Sequence, residues 1–305
     1  MNVSWLPMNL SSNHRPIERA RPWLGTLVSI RVEGLVEQEA HRALDAAFLE
    51  VATVHRLMSF HDPESDVSRL NRDAASHPVT VHPWTYSVLE QAQWCSQASE
   101  GCFDVSVGAE LVQWNLLGAP LGAAEPRGGT WKDIELLPTS RVVFRSPLWI
   151  DLGGIAKGYA VDCAIERLCD FGPARVVVNA GGDIRVRGTQ AEPIRLGAAS
   201  EGEMAPVLEL ADGSAAGSRS GVTRGQPGGN ICGPHVDGSR RTSVAIDRFV
   251  CVVAERCITA DALTKVVMAR GERSAAVIEK YGASAYIKDP LKDWQHIGTE
   301  ETGTR

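Results

Sequence analysis

The sequence predicts an α+β fold, formed either as a single large domain or as two intimately packed lobes. Segments with helical spacing and segments with strand alternation mix along the chain, without the regular strand–helix–strand rhythm of a doubly wound sheet. We find neither an internal repeat nor a linker that separates two domains. The 305 residues are 44% hydrophobic and 22% charged, which supports a sizeable core and excludes a disordered chain, a collagen and a coiled coil.

The N-terminal half begins with a strand and a long helix. Residues 24–33 alternate between apolar and polar side chains, which predicts a half-buried strand. Residues 36–58 carry apolar side chains at helical spacing, which predicts an amphipathic helix. Residues 60–72 predict a polar loop leading into a short helix, with Ser65 or Asp66 as its cap.

The remaining elements are predicted from short apolar runs and from helical spacing. We predict further helices at residues 83–98, 159–171, 259–269 and 274–281. We predict further strands at residues 141–144, 148–152, 174–180, 183–187, 194–197, 207–210, 249–254 and 285–288. Residues 213–248 are rich in glycine and serine, which predicts a long loop that is functional or disordered. We expect a disordered tail over residues 1–22, the folded domain over 23–290 and a polar tail over 291–305.

Charge and composition limit the partners and the location. The formal net charge of −6 argues against nucleic acid as the main partner. No stretch reaches the ~18 consecutive apolar residues of a membrane helix, so we expect no membrane insertion. The first 22 residues lack the charged start and uninterrupted apolar run of a secretory signal. The seven cysteines are odd in number and form no CxxC pair, which favours reduced thiols and a cytoplasmic location.

The most informative segment is DLGGIAKGYAVD at residues 151–162. A predicted strand ends at Asp151, two glycines follow, and a helix begins near Lys157. The glycines would let the backbone approach a ligand, and the helix N-terminus and the lysine would attract a phosphate. The spacing differs from that of a Walker A loop. The alternative interpretation is a tight turn with an exposed lysine.

A second glycine turn lies in NAGGDIRVRG at residues 179–188, and a third motif is CITADALTK at residues 257–265. The second turn, with Asp183 after it, is either a simple hairpin or, with the first, one wall of a ligand cleft. In the third motif, Asp261 either caps a helix or holds a divalent metal ion. Thr264 and Lys265 share its helix face.

The histidines give a weaker signal. None of the eight lies in an HExxH motif, and no GxSxG serine elbow occurs. His235, in GPHVDG, lies in the glycine-rich segment and near Asp237. A histidine in such a loop is either a solvated side chain or a general base.

In this order, the motifs resemble those of the FAD:protein FMN transferase family, also called the ApbE family. LGTLVSIRV at residues 24–32, MSFHDPESDVSRLNR at 58–72 and FDVSVGAELVQWN at 103–115 join the three motifs above. The resemblance covers residues 22–290, and DLGGIAKG followed by NAGGDIRVRG is its most specific part.

The resemblance implies mixed, largely antiparallel sheets flanked by helices, and an enzyme that binds FAD and Mg²⁺. A threonine hydroxyl of an acceptor flavoprotein subunit would attack the FMN phosphorus, and AMP would leave. Two alternatives stay open, namely an FAD pyrophosphatase that releases FMN and AMP, and a non-catalytic FAD-binding protein. We also allow for a homodimer.

The resemblance and the glycine turns together give the candidate site residues. The candidate FAD contacts are Leu24, His61, Cys102, Phe103, Asp104, Asp151, Lys157, Asn179, Gly181, Gly182 and Asp183. The candidate metal site comprises Gly154 through its carbonyl, Asp261, Thr264 and Lys265. The candidate catalytic residues are His235, Lys157 and Asp261.

This sequence departs from the family pattern at several of these positions. Leu24 replaces a methionine, His61 replaces an aromatic residue that packs on the flavin, and the His235–Asp237 spacing is one residue shorter. Lys265 stands where the family has a metal-binding threonine. Either Thr264 coordinates the metal instead, or Lys265 replaces the metal as a counter-charge to the diphosphate. Family members are usually exported, whereas residues 1–22 show no export signal.

Overall fold

A computed structural model describes residues 15–197, 205–220, 233–244 and 246–298. The strands are β1 (Ile17–Trp23), β2 (Thr26–Glu33), β3 (Val79–Thr80), β4 (Ile134–Leu137), β5 (Arg141–Phe144), β6 (Arg175–Ala180), β7 (Asp183–Arg187), β8 (Glu192–Arg195), β9 (Val207–Leu210), β10 (Ser214–Ser220), β11 (Val236–Asp237), β12 (Thr242–Ser243), β13 (Arg248–Ala254), β14 (Ser284–Lys288) and β15 (Gln295–Gly298). The helices are α1 (Glu37–Met58), α2 (Asp66–Asp73), α3 (Pro83–Ala98), α4 (Gly108–Gln113), α5 (Ala156–Cys169), α6 (Cys257–Arg270) and α7 (Ala275–Lys280), with 3-10 turns at Trp131–Asp133 and Gly271–Ser274.

Eight strands of the described ranges form one sheet in the order β1-β2-β6-β7-β10-β13-β14-β15. Every neighbouring pair in this sheet is antiparallel. The strand β1 forms one edge, and it pairs with β2 from Ile17↔Val32 to Trp23↔Thr26. Smaller sheets are formed by β3-β5-β4, by the β8-β9 pair and by the β11-β12 pair. This confirms the predicted α+β fold with largely antiparallel sheets.

Strand alternation divides the core between the two faces of the sheet. Val176 and Val178 pack with helices α1 and α5 on one face, whereas Val177 packs with the β8-β9 pair on the other. Val252 likewise faces α6, and Cys251 faces the opposite side. Successive strand side chains point to opposite faces, so both sides of these central strands are apolar. The sheet is therefore covered by α1, α5 and α6 on the face that also carries the polar site.

One predicted strand, at residues 148–152, is wrong. This described segment has no strand partner; instead, the side chain of Asn71 takes the place of one. Its amide nitrogen donates to the carbonyl of Ile150 at 3.0 Å, and its oxygen accepts from the N–H of Ile150 at 2.7 Å. The apolar run is buried, and its backbone bonds to the Asn71 side chain and to the backbone of Val105 and Gly108 rather than to a strand ladder.

The predicted long loop at residues 213–248 is also partly wrong. Ser214–Ser220 is strand β10, paired with both β7 and β13. Its small residues carry little hydrophobic contrast and so hide the strand signal, although Ala216 packs in the same core as helix α6. Residues 221–232 and 245 lie outside the described residues.

Both predicted tails contain strands at their inner ends. All of β1 except Trp23 lies within the predicted tail over residues 1–22, and β15 lies within the tail over 291–305. Residues 1–14 and 299–305 lie outside the described residues. Among the helices of the described ranges, none combines the length and the apolar character that a membrane crossing needs.

Candidate functional site

A cavity of about 440 Å³ opens where the first turn of α5 and the middle of α6, at Lys265, meet strand β10 and the segment at residues 234–236. This volume falls within the usual range of small-molecule sites. The predicted site residues that line it are Cys102, Phe103, Asp104, Asp151, Gly154, Lys157, Gly181, His235 and Lys265. The described structure thus brings the three motifs to one cavity.

Lys157 is in the first turn of α5 and lies between two buried carboxylates. Its ammonium forms an ion pair with Asp183, which is 1% exposed, and lies 3.7 Å from Oδ1 of Asp261, which is 0% exposed. Burial opposes a charged lysine, but these two carboxylates raise the pKa of Lys157. Lys157 is therefore a fixed positive charge on the cavity wall.

Asp261 is held on both of its oxygens. Oδ2 accepts a 3.0 Å hydrogen bond from the backbone N–H of Gly158, and Oδ1 forms an ion pair with Lys265. Although burial opposes ionisation, the ammonium groups of Lys157 and Lys265 hold the pKa of Asp261 below its usual range. Asp261 is therefore ionised beneath the cavity rather than in its wall.

The neighbouring Thr264 hydroxyl makes all of its hydrogen bonds with protein groups. It donates to the carbonyl of Asp261 at 2.7 Å, and it accepts from Ser218 and from the ammonium of Lys265, both at 3.0 Å. A hydroxyl has one proton and two lone pairs, so this arrangement exhausts its hydrogen-bonding capacity.

The predicted metal ligands therefore do not fit a divalent cation. The side-chain oxygens of Asp261 and Thr264 already accept hydrogen bonds from protein groups. The ammonium of Lys265 occupies the position where a metal ion would bind them. Within the described ranges, no cluster of three histidine, cysteine or carboxylate side chains has metal-binding geometry. Gly154 lies at the cavity, where an added Cβ would meet Cε of Lys265 at 3.4 Å.

A close crossing of α5 and α6 builds this geometry. A Cβ at Gly158 would lie 2.3 Å from the carbonyl oxygen of Cys257, so only glycine fits there. One turn later, the buried carboxylate of Asp162 accepts from the N–H groups of Cys257 and Ile258 at 3.0 and 3.1 Å. Asp162 thus caps α6 and also pairs with Arg185 of β7.

The second glycine motif forms the turn between β6 and β7. Gly181 has φ +64°, and a Cβ there would lie 2.4 Å from Oγ1 of Thr26. Asn179 Oδ1 accepts from the N–H of Gly182 at 2.9 Å. This turn brings Asp183 to Lys157, whereas Asn179 and Gly182 themselves stay outside the cavity lining. The motif therefore forms a hairpin, and Gly181 is its one residue in the cavity lining.

The segment at residues 102–106 is fixed by a buried ion pair. Asp104 Oδ2 lies 2.9 Å from Arg241, and its Oδ1 accepts from the N–H and hydroxyl of Ser106. The carboxylate of Asp104 therefore positions the segment, while Phe103 lines the cavity. Burial raises the pKa of Cys102 to about 11, so its thiol is protonated at neutral pH.

His235 is half-buried in the cavity wall. Its Nε2 lies 3.3 Å from the carbonyl oxygen of Arg219. Because a carbonyl only accepts, Nε2 carries the proton and Nδ1 is the basic nitrogen. Burial, and then the positive charges of Lys265 and Lys157, lower the pKa of His235 to about 4. The imidazole is therefore neutral at pH 7.

Leu24 and His61 do not line the cavity. Leu24 is at the β1–β2 turn with φ +56° and packs on the core, and the exposed His61 stacks edge-on against Phe60. Asp151 lines the cavity and accepts from the N–H of Gly153 at 3.1 Å. Burial raises the pKa of Asp151, and the hydrogen bond from Gly153 and the charge of Lys265 oppose that rise.

Three residues that position the side chains of the site were not predicted from the sequence. Ser218 bonds Thr264, Asp162 caps α6, and Arg241 fixes Asp104. Asp162 ends the first motif, so its position in DLGGIAKGYAVD was the available signal. Ser218 and Arg241 lie in the glycine-rich segment, whose pattern carries no marker of these long-range contacts.

Comparison with known proteins gives consistent matches. The model of the ApbE family matches residues 24–287. A Treponema pallidum protein named FAD:protein FMN transferase is 26% identical over 200 residues, which are 61% of this chain and 55% of that protein. A Chlamydia pneumoniae protein of the same name is 26% identical over 284 residues, 87% of each chain. The crystal structure of the ApbE protein from Thermotoga maritima superimposes with a TM-score of 0.78 at 25% identity, covering 93% of this chain and 97% of that one.

Proposed function

This chain belongs to the ApbE family, and from that premise we propose that it is an FAD:protein FMN transferase. It moves the FMN moiety of FAD onto an acceptor flavoprotein and releases AMP. The curated relatives carry this activity in their names. We further propose that the acceptor group is a threonine hydroxyl, as the resemblance to the family implies.

One observation carries the proposal most strongly, namely the pair of ammonium groups on the cavity wall. Lys157 and Lys265 both line the cavity and both pair with buried carboxylates behind it. Their positions are therefore fixed before a ligand enters. A preorganised pair of positive charges suits a diphosphate, whose negative charge increases on the leaving AMP during transfer.

The transfer of FMN from FAD to the acceptor hydroxyl needs no further reactant. The acceptor oxygen forms a bond to the FMN phosphorus, the bond from that phosphorus to the bridging oxygen breaks, and AMP leaves with the electron pair. The hydroxyl proton passes to Nδ1 of His235, which is neutral and lines the same cavity. The lysine charges offset the charge that develops on AMP.

The resemblance implies magnesium dependence, but the contacts of the candidate metal ligands do not support it. We route no step through Mg²⁺, because the side chains of Asp261, Thr264 and Lys265 already satisfy one another. A cytoplasmic location and a homodimer stay predictions.

A labelling assay tests the proposed function. Purified protein is incubated with FAD and a flavoprotein domain that bears an acceptor threonine, with a known family member in parallel. We expect in-gel flavin fluorescence on the acceptor and one AMP per flavin attached. The same domain with its threonine replaced by alanine is the control and should stay dark.

His235→Asn separates binding from transfer. Its affinity for FAD, measured by fluorescence titration, should stay close to that of the parent, while labelling should fall by ~10²-fold or more. AMP release without any acceptor would instead indicate a pyrophosphatase. An acceptor that the parallel family member labels and this protein leaves dark would refute the transferase.

A further inference from the structure

We propose that the ammonium of Lys265 is the resident cation of this site, so that the chain binds the FAD diphosphate without a divalent metal. The inference rests on the proposed function, and it concerns how that same site meets the phosphate charge. It follows from what Lys265 contacts and from the charges that surround it.

The contacts of Lys265 are those of a bound cation. Its ammonium pairs with Oδ1 of Asp261 and lies 3.0 Å from Oγ1 of Thr264. These are the two side-chain oxygens that the sequence analysis assigned to a metal. The stem of Lys265 packs beside Gly154, the third predicted ligand, where an added Cβ would meet Cγ of the lysine at 3.6 Å. The ammonium therefore contacts both side-chain oxygens of the predicted metal site, and the lysine stem lies beside Gly154.

The charge balance at the site is already complete. Two buried carboxylates, Asp183 and Asp261, face two ammonium groups, Lys157 and Lys265. Before FAD enters, adding a dication beside them would leave two uncompensated positive charges next to Lys265. Such a site opposes metal entry unless the lysine leaves its carboxylate partner.

The lysine is held where it can reach a ligand. Its side chain is 16% exposed and lines the cavity, so the same ammonium contacts Asp261 behind it and borders the space in front. The α6 helix sets this reach, because Lys265 lies one turn after Asp261 on the same helix face. Both positive charges of the phosphate site, those of Lys157 and Lys265, therefore come from side chains and none comes from a metal ion.

The first experiment uses the unaltered protein and measures binding rather than turnover. Mn²⁺ binding is followed by electron paramagnetic resonance, and FAD affinity is measured by fluorescence in excess EDTA and then in excess Mg²⁺. We expect no stoichiometric Mn²⁺ site and an FAD Kd that changes by less than ~2-fold between the two conditions. Labelling of the acceptor should also survive EDTA.

The second experiment restores a hydroxyl at the position. In Lys265→Thr, Asp261 loses one ammonium partner and gains a neighbouring oxygen. We expect a stoichiometric Mn²⁺ site and an FAD affinity that falls by ~10-fold or more in EDTA. Lys280→Thr is the matched control, because Lys280 is an exposed helical lysine on α7, and it should behave like the parent.

Each result decides the inference. Stoichiometric Mn²⁺ binding by the unaltered protein, or FAD affinity that collapses in EDTA, would overturn it while leaving the transferase function standing. A folded Lys265→Thr protein that binds no Mn²⁺ with FAD present would also overturn it. If that variant does not fold, the unaltered protein still gives the answer. Failure to bind FAD under either condition would instead refute the proposed function.

Discussion

The backbone N–H of Gly158 lies 3.0 Å from Oδ2 of Asp261, which joins the first turn of α5 directly to the buried carboxylate on α6. A main-chain donor cannot change rotamer, so it fixes the carboxylate more firmly than a side chain would. The other carboxylate oxygen is then presented to Lys265. The α5–α6 crossing is thus the element that positions the charges of the site.

Gly158→Ala should destabilise the protein and disturb the site. The added methyl would lie 2.3 Å from the carbonyl oxygen of Cys257, so the two helices must separate. We expect a loss of ~1–3 kcal/mol in the free energy of unfolding, measured in urea, together with weaker FAD binding. Gly118→Ala is the control, because a Cβ at Gly118 meets nothing within 4 Å. Equal stability of the two variants would contradict the close crossing.

Asp162→Asn should be more damaging than its position outside the cavity suggests. The change removes the charge that caps α6 and leaves Arg185, which is 8% exposed, without its carboxylate partner. Breaking a buried pair in this way costs ~3–5 kcal/mol, which urea unfolding will measure. Asp170→Asn alters an exposed partner of Arg167 and should change stability little. A similar small loss in both variants would show that Asp162 is not a structural anchor.

His235 should stay neutral throughout the physiological pH range. Its pKa of about 4 lies below the ordinary value of 6.5 because of burial and because of the charge of Lys265. Histidine NMR titration, assigned with His235→Asn, should therefore show a midpoint near 4. Lys265→Met removes one opposing charge and should move that midpoint upward. A midpoint at 6.5 in the parent protein would contradict the burial of this ring among positive charges.

Asp183 should make stability rise as the pH falls from 7 to 5. Burial and the charge of Asp261 raise its folded-state pKa to about 6, above the ordinary value of 3.8. The folded protein therefore binds the Asp183 proton more tightly than the unfolded chain does. This contribution is complete below 3.8 and is lost as the pH rises through about 6. Urea unfolding at both pH values should show the parent gaining more stability than Asp183→Asn, and an equal gain would remove Asp183 as the source.

Elements with strong periodicity were predictable from the sequence. Helix α1 and the β6–β7 pair have large apolar residues at regular spacing, and both were found within a few residues of their predicted bounds. Strand β10 was hidden because its alanines, glycine and serines carry little hydrophobic contrast. The run at residues 148–152 has the composition of a strand, because apolar composition does not reveal that Ile150 bonds to the side chain of Asn71 instead of a neighbouring strand.

The site was predictable in its motifs but not in its contacts. The sequence indicated that Lys157, Asp261 and Lys265 belong together, and the structure brings them together. The roles of Asp162 and Arg241 depend on partners 95 and 137 residues away, which local spacing cannot reveal. His61 and Leu24 are conspicuous in their motifs yet lie outside the cavity lining.

The edge strand β1 affects whether another molecule can pair with the main sheet in a concentrated solution. It carries Arg19 and Arg21, both tied to Asp45, and Pro22, which has no N–H to offer. A strand from another molecule that paired with β1 would have to desolvate these charged side chains. It would also lack one backbone hydrogen bond, because Pro22 has no N–H to donate. The β1 edge of the main sheet is therefore a poor template for strand addition, so concentrated preparations should resist β-rich aggregation along this edge.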